Sequence, residues 1–129
     1  MSGERDLKTL LSSLEVVVSD AVYVFATIKE AACPQGLVPM MQFHEAEGLT
    51  LILTREEALA HTIPYEFESR MITLNIHSSL EAVGFMAHIS ALLAQASIPV
   101  NPVAGFYHDH LFVPCDKCDE ALSILQKIA

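Results

Sequence analysis

The chain has 129 residues, 52% of them hydrophobic and 18% charged, enough to bury a sizeable core and unlike a disordered segment. With 16 acidic against 7 basic residues, a formal net charge of −9 and no cluster of Lys or Arg, nucleic acid and anionic membrane surfaces are poor partners. Three cysteines argue against a disulfide framework and fit a reducing cytoplasm, Met1–Asp6 lacks a secretory pattern, and charged or polar residues interrupt every apolar stretch before it reaches membrane-spanning length.

In chain order, Leu7, Leu10, Leu11 and Leu14 fall at helical spacing and predict a short amphipathic helix over 6–14. The β-branched and aromatic runs 15–18 and 21–28 read as strands around a Ser19-Asp20 turn. Residues 29–38, with Cys33-Pro34 and Gly36, read as a loop. Two strands, 39–45 and 49–54, follow around Ala46-Glu47-Gly48, then a short helix over 55–61 closed by Thr62-Ile63-Pro64. Residues 65–69 lead into a strand over 70–77, where Ile72, Leu74 and Ile76 alternate with Thr73, Asn75 and His77. Ser78 and Glu81 stand at the spacing of a capping box, predicting a helix over 80–97 that Ile98-Pro99 stops. Strands over 100–107 and 111–114 flank His108-Asp109-His110, and Asp116 is placed to cap a final helix with Ala121, Leu122, Leu125 and Ile128 on its buried stripe. The two halves share an element order of strand, connection, hairpin and helix, which suggests a degenerate duplication of a β-α-β-β-α unit.

The stretches Glu47–Leu53 (EGLTLIL), Ile72–Gly84 (ITLNIHSSLEAVG) and Ala104–Pro114 (AGFYHDHLFVP) resemble a family of small bacterial proteins built from two tandem ACT-like subdomains. The resemblance covers the chain from about Tyr23 onward. It implies an α+β, ferredoxin-like fold of two fused ACT-type subdomains, 1–68 (degenerate) and 69–129, with antiparallel sheets and helices on one face. It also implies a non-catalytic, regulatory protein that binds a small effector such as an amino acid. In ACT domains the binding loop lies between the first strand and the first helix, with a glycine near the helix start, and Gly84 takes a comparable place. The usual acidic residue followed by Pro-Gly is replaced here by Ser78-Ser79-Leu80-Glu81-Ala82-Val83-Gly84.

The candidate ligand-binding residues are therefore His77, Ser78, Ser79, Leu80, Glu81, Ala82, Val83, Gly84 and Asn101. Main-chain N–H groups around Leu80–Val83 are expected to take a carboxylate, and Glu81 an ammonium. The same side chains also fit a helix cap with no ligand. No catalytic residues, metal ligands or cofactor are expected, since no G-x-S-x-G, phosphate-binding loop or H-E-x-x-H occurs. The expected partners are a small-molecule effector and further copies of the chain, in the cytoplasm, with no nucleic acid and no membrane. Two alternatives stand beside this reading. One is a ligand-free structural or interaction module. The other is a metal-binding protein using His108 and His110, whose side chains fall on one side of a strand roughly 6.5–7 Å apart, with Cys115 and Cys118 nearby in sequence.

Overall fold

The structure, a computed structural model, describes residues 3–128. Its elements are α1 (Leu7–Ser12), β1 (Val16–Val18), β2 (Tyr23–Ile28), β3 (Met41–His44), β4 (Leu49–Thr54), α2 (Arg55–Ala60), β5 (Glu66–Leu74), α3 (Phe85–Gln95), β6 (Asn101–Ala104), β7 (Asp109–Pro114) and α4 (Cys118–Gln126). Contacts divide the chain into a middle unit, Asp20–Ser69, and a terminal unit made of the described residues up to Ser19 together with those from Arg70 on.

In the middle unit the strand order is β3-β4-β2-β5, with each of these pairings antiparallel. Alternation along β4 sends Leu49, Leu51 and Leu53 to one face, where they form a core with Val24, Ala26, Leu37 and Ala58 of α2. Thr54 caps α2 by accepting a hydrogen bond from the Glu57 N–H at 3.1 Å. Residues 29–38 form an irregular loop, as their Pro and Gly content predicts.

In the terminal unit β1 and β7 flank β5 and β6 lies beyond β7, giving β6-β7-β5-β1. This matches the middle unit's order: a hairpin, then the unit's leading strand, then a last strand at the far side. In the terminal unit that last strand is β1, from the start of the chain, with Val16, Val17 and Val18 opposite Leu74, Thr73 and Ile72. Both units thus have the four-strand order of a ferredoxin-like fold. The expected division into 1–68 and 69–129 follows chain order, whereas the contacts place residues up to 19 with those from 70 on. The reason is burial as well as pairing. Leu10 and Leu14 share a core with Ile72, Leu74, Leu111 and Val113 of the strands and with Phe85, Ile89, Leu93, Ala121 and Leu125 of the helices.

Four local expectations are corrected. The strand predicted over 100–107 ends at Ala104, because the Gly105 N–H bonds to His108 O at 2.9 Å and closes the hairpin there. The strand predicted over 70–77 ends at Leu74. Beyond it the Ile76 N–H bonds to Leu74 O at 2.8 Å and the Ser78 N–H to Ile76 O at 2.9 Å, two successive three-residue turns that bend the chain. The helix predicted from Leu80 starts at Phe85, behind Gly84 in the left-handed region (φ +89°), and the Ser78/Glu81 capping box does not form. At its other end Ser97 (φ +59°) supplies the left-handed turn, with the Ile98 N–H bonded to Leu93 O and the Ser97 N–H to Ala94 O. This is the double closure of a Schellman motif with serine where glycine is usual. Asp116 does not cap α4 either; it lies in a 3₁₀ turn over Cys115–Lys117 that precedes the helix.

If residues up to Ser19 are integral to the terminal core, Leu10→Ala will cost about 2–5 kcal/mol, since Leu10 is fully buried and leaves a cavity. A urea midpoint unchanged from the parent would contradict that placement.

Candidate functional site

The candidate residues His77–Gly84 fall in the irregular segment between β5 and α3. Ser78 and Ser79 are buried at 7% and 5% exposure, while the side chains of Leu80, Glu81 and Val83 face outward. The hydroxyls of both serines are engaged: Ser78 Oγ donates to Asp109 Oδ2 at 3.2 Å, and Ser79 Oγ accepts from the Glu81 N–H at 3.1 Å. The Ala82 N–H bonds to Ser79 O at 3.0 Å. The amides expected to receive a carboxylate are therefore not a helix N-terminus, and two of them are already paired within the turn.

Gly3 and Glu4 are seated on this corner. The Glu4 N–H donates to His77 O at 2.7 Å and Glu4 O accepts from the Ser79 N–H at 2.8 Å, forming a parallel bridge between Glu4 and Ser78. Gly3 lies so close that a Cβ there would sit 2.7 Å from Ser79 N. The tip of the β6–β7 hairpin forms another side. His108 Nδ1 lies 3.2 Å from Ile76 O, and because a carbonyl only accepts, His108 carries its proton on Nδ1. The His77 ring packs against Tyr107 and Phe106, with centroids 5.1 and 6.4 Å away, and its buried Nε2 has no hydrogen-bond partner. Phe106 and Tyr107 are themselves about three-fifths exposed.

Asn101 is not part of this corner. It pairs with Phe112, three residues along β7 from the Asp109 that touches Ser78, a separation of about 10 Å at the rise of a strand. Gly3, Glu4, Phe106, Tyr107, His108 and Asp109 are the corner residues left out of the ligand-binding candidates. The hairpin was visible as a polar tip, but nothing near Gly3 or Glu4 in the sequence marks them.

His108 and His110 have ring centroids 6.4 Å apart, and His110 Nδ1 is 2.9 Å from Thr73 Oγ1. Among the described residues no group of three or more His, Cys, Asp or Glu side chains is placed to hold a metal ion. Burial pushes the Cys118 thiol up, the direction opposite to that of a redox-active thiolate. Among the described residues, open hollows of about 390–420 Å³ lie elsewhere, beside Thr54–Glu56 in the middle unit and around Leu11 and Ile128 in the terminal unit. Among the described residues no helix is long and apolar enough to cross a membrane.

Two family models, each described as an ACT domain, match residues 2–70 and 66–127. The chain belongs to the ACT-domain family. It is 38% identical to a solved Vibrio cholerae protein of unknown function described as a possible transport protein, over 99% of each chain, with a TM-score of 0.86. An Agrobacterium tumefaciens protein is 13% identical over 89% of this ACT protein and 88% of the other, at a TM-score of 0.75. The regulatory subunit of aspartate kinase from Thermus thermophilus, in a ligand-free form, is 10% identical over 88% of this chain and 95% of that one, at a TM-score of 0.62. The last two likenesses show the fold alone. No curated protein matches the sequence.

The corner also carries a pH dependence. Burial, followed by the charge of neighbouring His108, lowers the His110 pKa, while Asp109 acts the other way. Between the depressed folded value and the ordinary histidine value the unfolded chain binds more protons than the folded one. The stability that neutral His110 contributes is thus complete above the ordinary value and is lost as pH falls through the depressed one. The urea midpoint of the parent is expected to fall between about pH 7.5 and about pH 5.5 by more than that of His110→Asn. Parallel pH profiles for the two proteins would remove this assignment.

Proposed function

We propose that this ACT protein is a non-catalytic regulator that binds a small effector, an amino acid, at the corner formed by His77–Gly84 and the β6–β7 hairpin tip. The observation that carries the reading is the donor–acceptor pair at the end of β5, His77 O and the Ser79 N–H, which is complementary to the ammonium and carboxylate of an α-amino acid. Two further features support it. Both halves match ACT models, and the fold is shared with a protein named as a regulatory subunit of aspartate kinase. Asn101 has no part in this version of the site, and Glu81, which faces outward, is a rim group.

The protein acts in the cytoplasm as a homo-oligomer. Its apolar exposed side chains, among them Val38 and Phe43 in the middle unit, are surface for such association. Thermal denaturation of the full chain in the presence of each of the twenty amino acids tests the effector. At least one is expected to raise the melting temperature, because a ligand at a hundred times its Kd adds about 2.7 kcal/mol. Flat responses throughout, from a folded and oligomeric protein, would instead favour a ligand-free interaction module.

A further inference from the structure

We propose that Gly3–Glu4 is a built-in competitor for the His77–Ser79 corner, a strap that an incoming amino acid must displace. This rests on the effector reading above and adds the regulation of that site. The argument is one of shared chemistry. Glu4 offers its own N–H to His77 O at 2.7 Å and its own carbonyl to the Ser79 N–H at 2.8 Å. A free α-amino acid has the same N–Cα–C frame, with a charged donor at one end and a charged acceptor at the other, and so makes the same two contacts with stronger hydrogen bonds. The Glu4 side chain stays out of the contest, since its Oε1 turns back to accept from the Asp6 N–H at 3.2 Å.

The strap is built to seat closely yet hold lightly. Gly3 adopts φ +98°, and a Cβ would meet Ser79 N at 2.7 Å and Ser78 C at 2.9 Å, so glycine is what fits. The pairing is a single isolated bridge rather than a strand. Two residues further on, Asp6 caps α1, whose Leu10 is fixed in the core. When displaced, the strap therefore stays tethered beside the corner at high local concentration.

Two full-length variants test this without depending on any one substitution. Gly3→Val adds the forbidden Cβ, and Glu4→Pro deletes the donor to His77 O without adding bulk against Ser79. In both, exchange of the Ser79 amide hydrogen is expected to accelerate roughly tenfold or more over the parent, together with tryptic cleavage after exposed Arg5. An unprotected Ser79 amide in the parent, or unchanged exchange in both variants, overturns the strap. Calorimetry with the twenty amino acids then separates the two claims. An amino acid that binds both variants more tightly than the parent, and speeds Arg5 cleavage when it binds the parent, supports the competitor. Equal affinity for parent and variants overturns the competitor and leaves the effector reading standing. Binding to none of the three proteins overturns both.

Discussion

The pairing of β1 with β5 is the constraint on which the terminal unit rests. Without it β5 would present a bare edge at Ile72–Leu74, and the Asn75 N–H, which bonds to Glu15 O at 2.7 Å, would lack its partner. The pairing joins residues far apart in the chain, Val18 to Ile72, so it must offset the entropy of closing a long loop. Burial of Leu10 and Leu14 beside Ile72 and Leu74 supplies that return. The consequence reaches beyond the sheet. Once β1 lies along β5 and α1 covers the core, Gly3 and Glu4 are brought beside the turns that follow β5, where the Glu4 N–H and carbonyl meet His77 and Ser79. The seat of Gly3–Glu4 thus follows from the strand pairing.

Elements whose signals are local were readable from the residues. The strand signals over 49–54 and the helical spacing of Leu7, Leu10 and Leu14 each depend on neighbours within a strand or a turn, and each element formed within a residue or two of its expected place. The ACT resemblance likewise pointed to the family that the two domain matches show. The start of α3 was misread for the opposite reason. Ser78 and Glu81 have the spacing of a capping box, but the Ser78 hydroxyl is taken by Asp109 and the Ser79 amide by Glu4, and no window of local sequence contains either partner. The end of β5 was misread because main-chain turns at Ile76 and Ser78 overrode a good apolar alternation. In the first case tertiary pairing won over local propensity; in the second, successive tight turns overrode the strand pattern.

The same division runs through the site. Residues His77 to Gly84 lie together because they adjoin one another in the chain. Asn101 was included from its place near the start of the next strand, and the antiparallel hairpin carries it about 10 Å from the tip that touches Ser78. Phe106 and Tyr107 read as the end of a strand over 100–107, yet they lie in the hairpin turn beyond Ala104 and pack against the His77 ring, whose Nε2 is buried without a partner. A buried, unpaired ring nitrogen costs stability.

A competitor made of main chain has a definite energetic character. Its contacts are those common to every amino acid, so it weakens binding across the class without choosing among its members, and selectivity falls to the side chains around His77. Its strength is set by how often the bridge is open, because the apparent Kd equals the intrinsic value divided by the open fraction. A strap closed in 99 of every 100 molecules would lower apparent affinity about a hundredfold, enough to move a response from micromolar to roughly tenth-millimolar effector. One bridge of two hydrogen bonds, each contributing about 0.5–1.5 kcal/mol net, spans that range. A longer paired strand would hold the corner shut against any metabolite at cellular concentration, whereas a free end with no bridge would not compete. The single bridge, with glycine at its outer side and a capped helix behind it, lies between those limits.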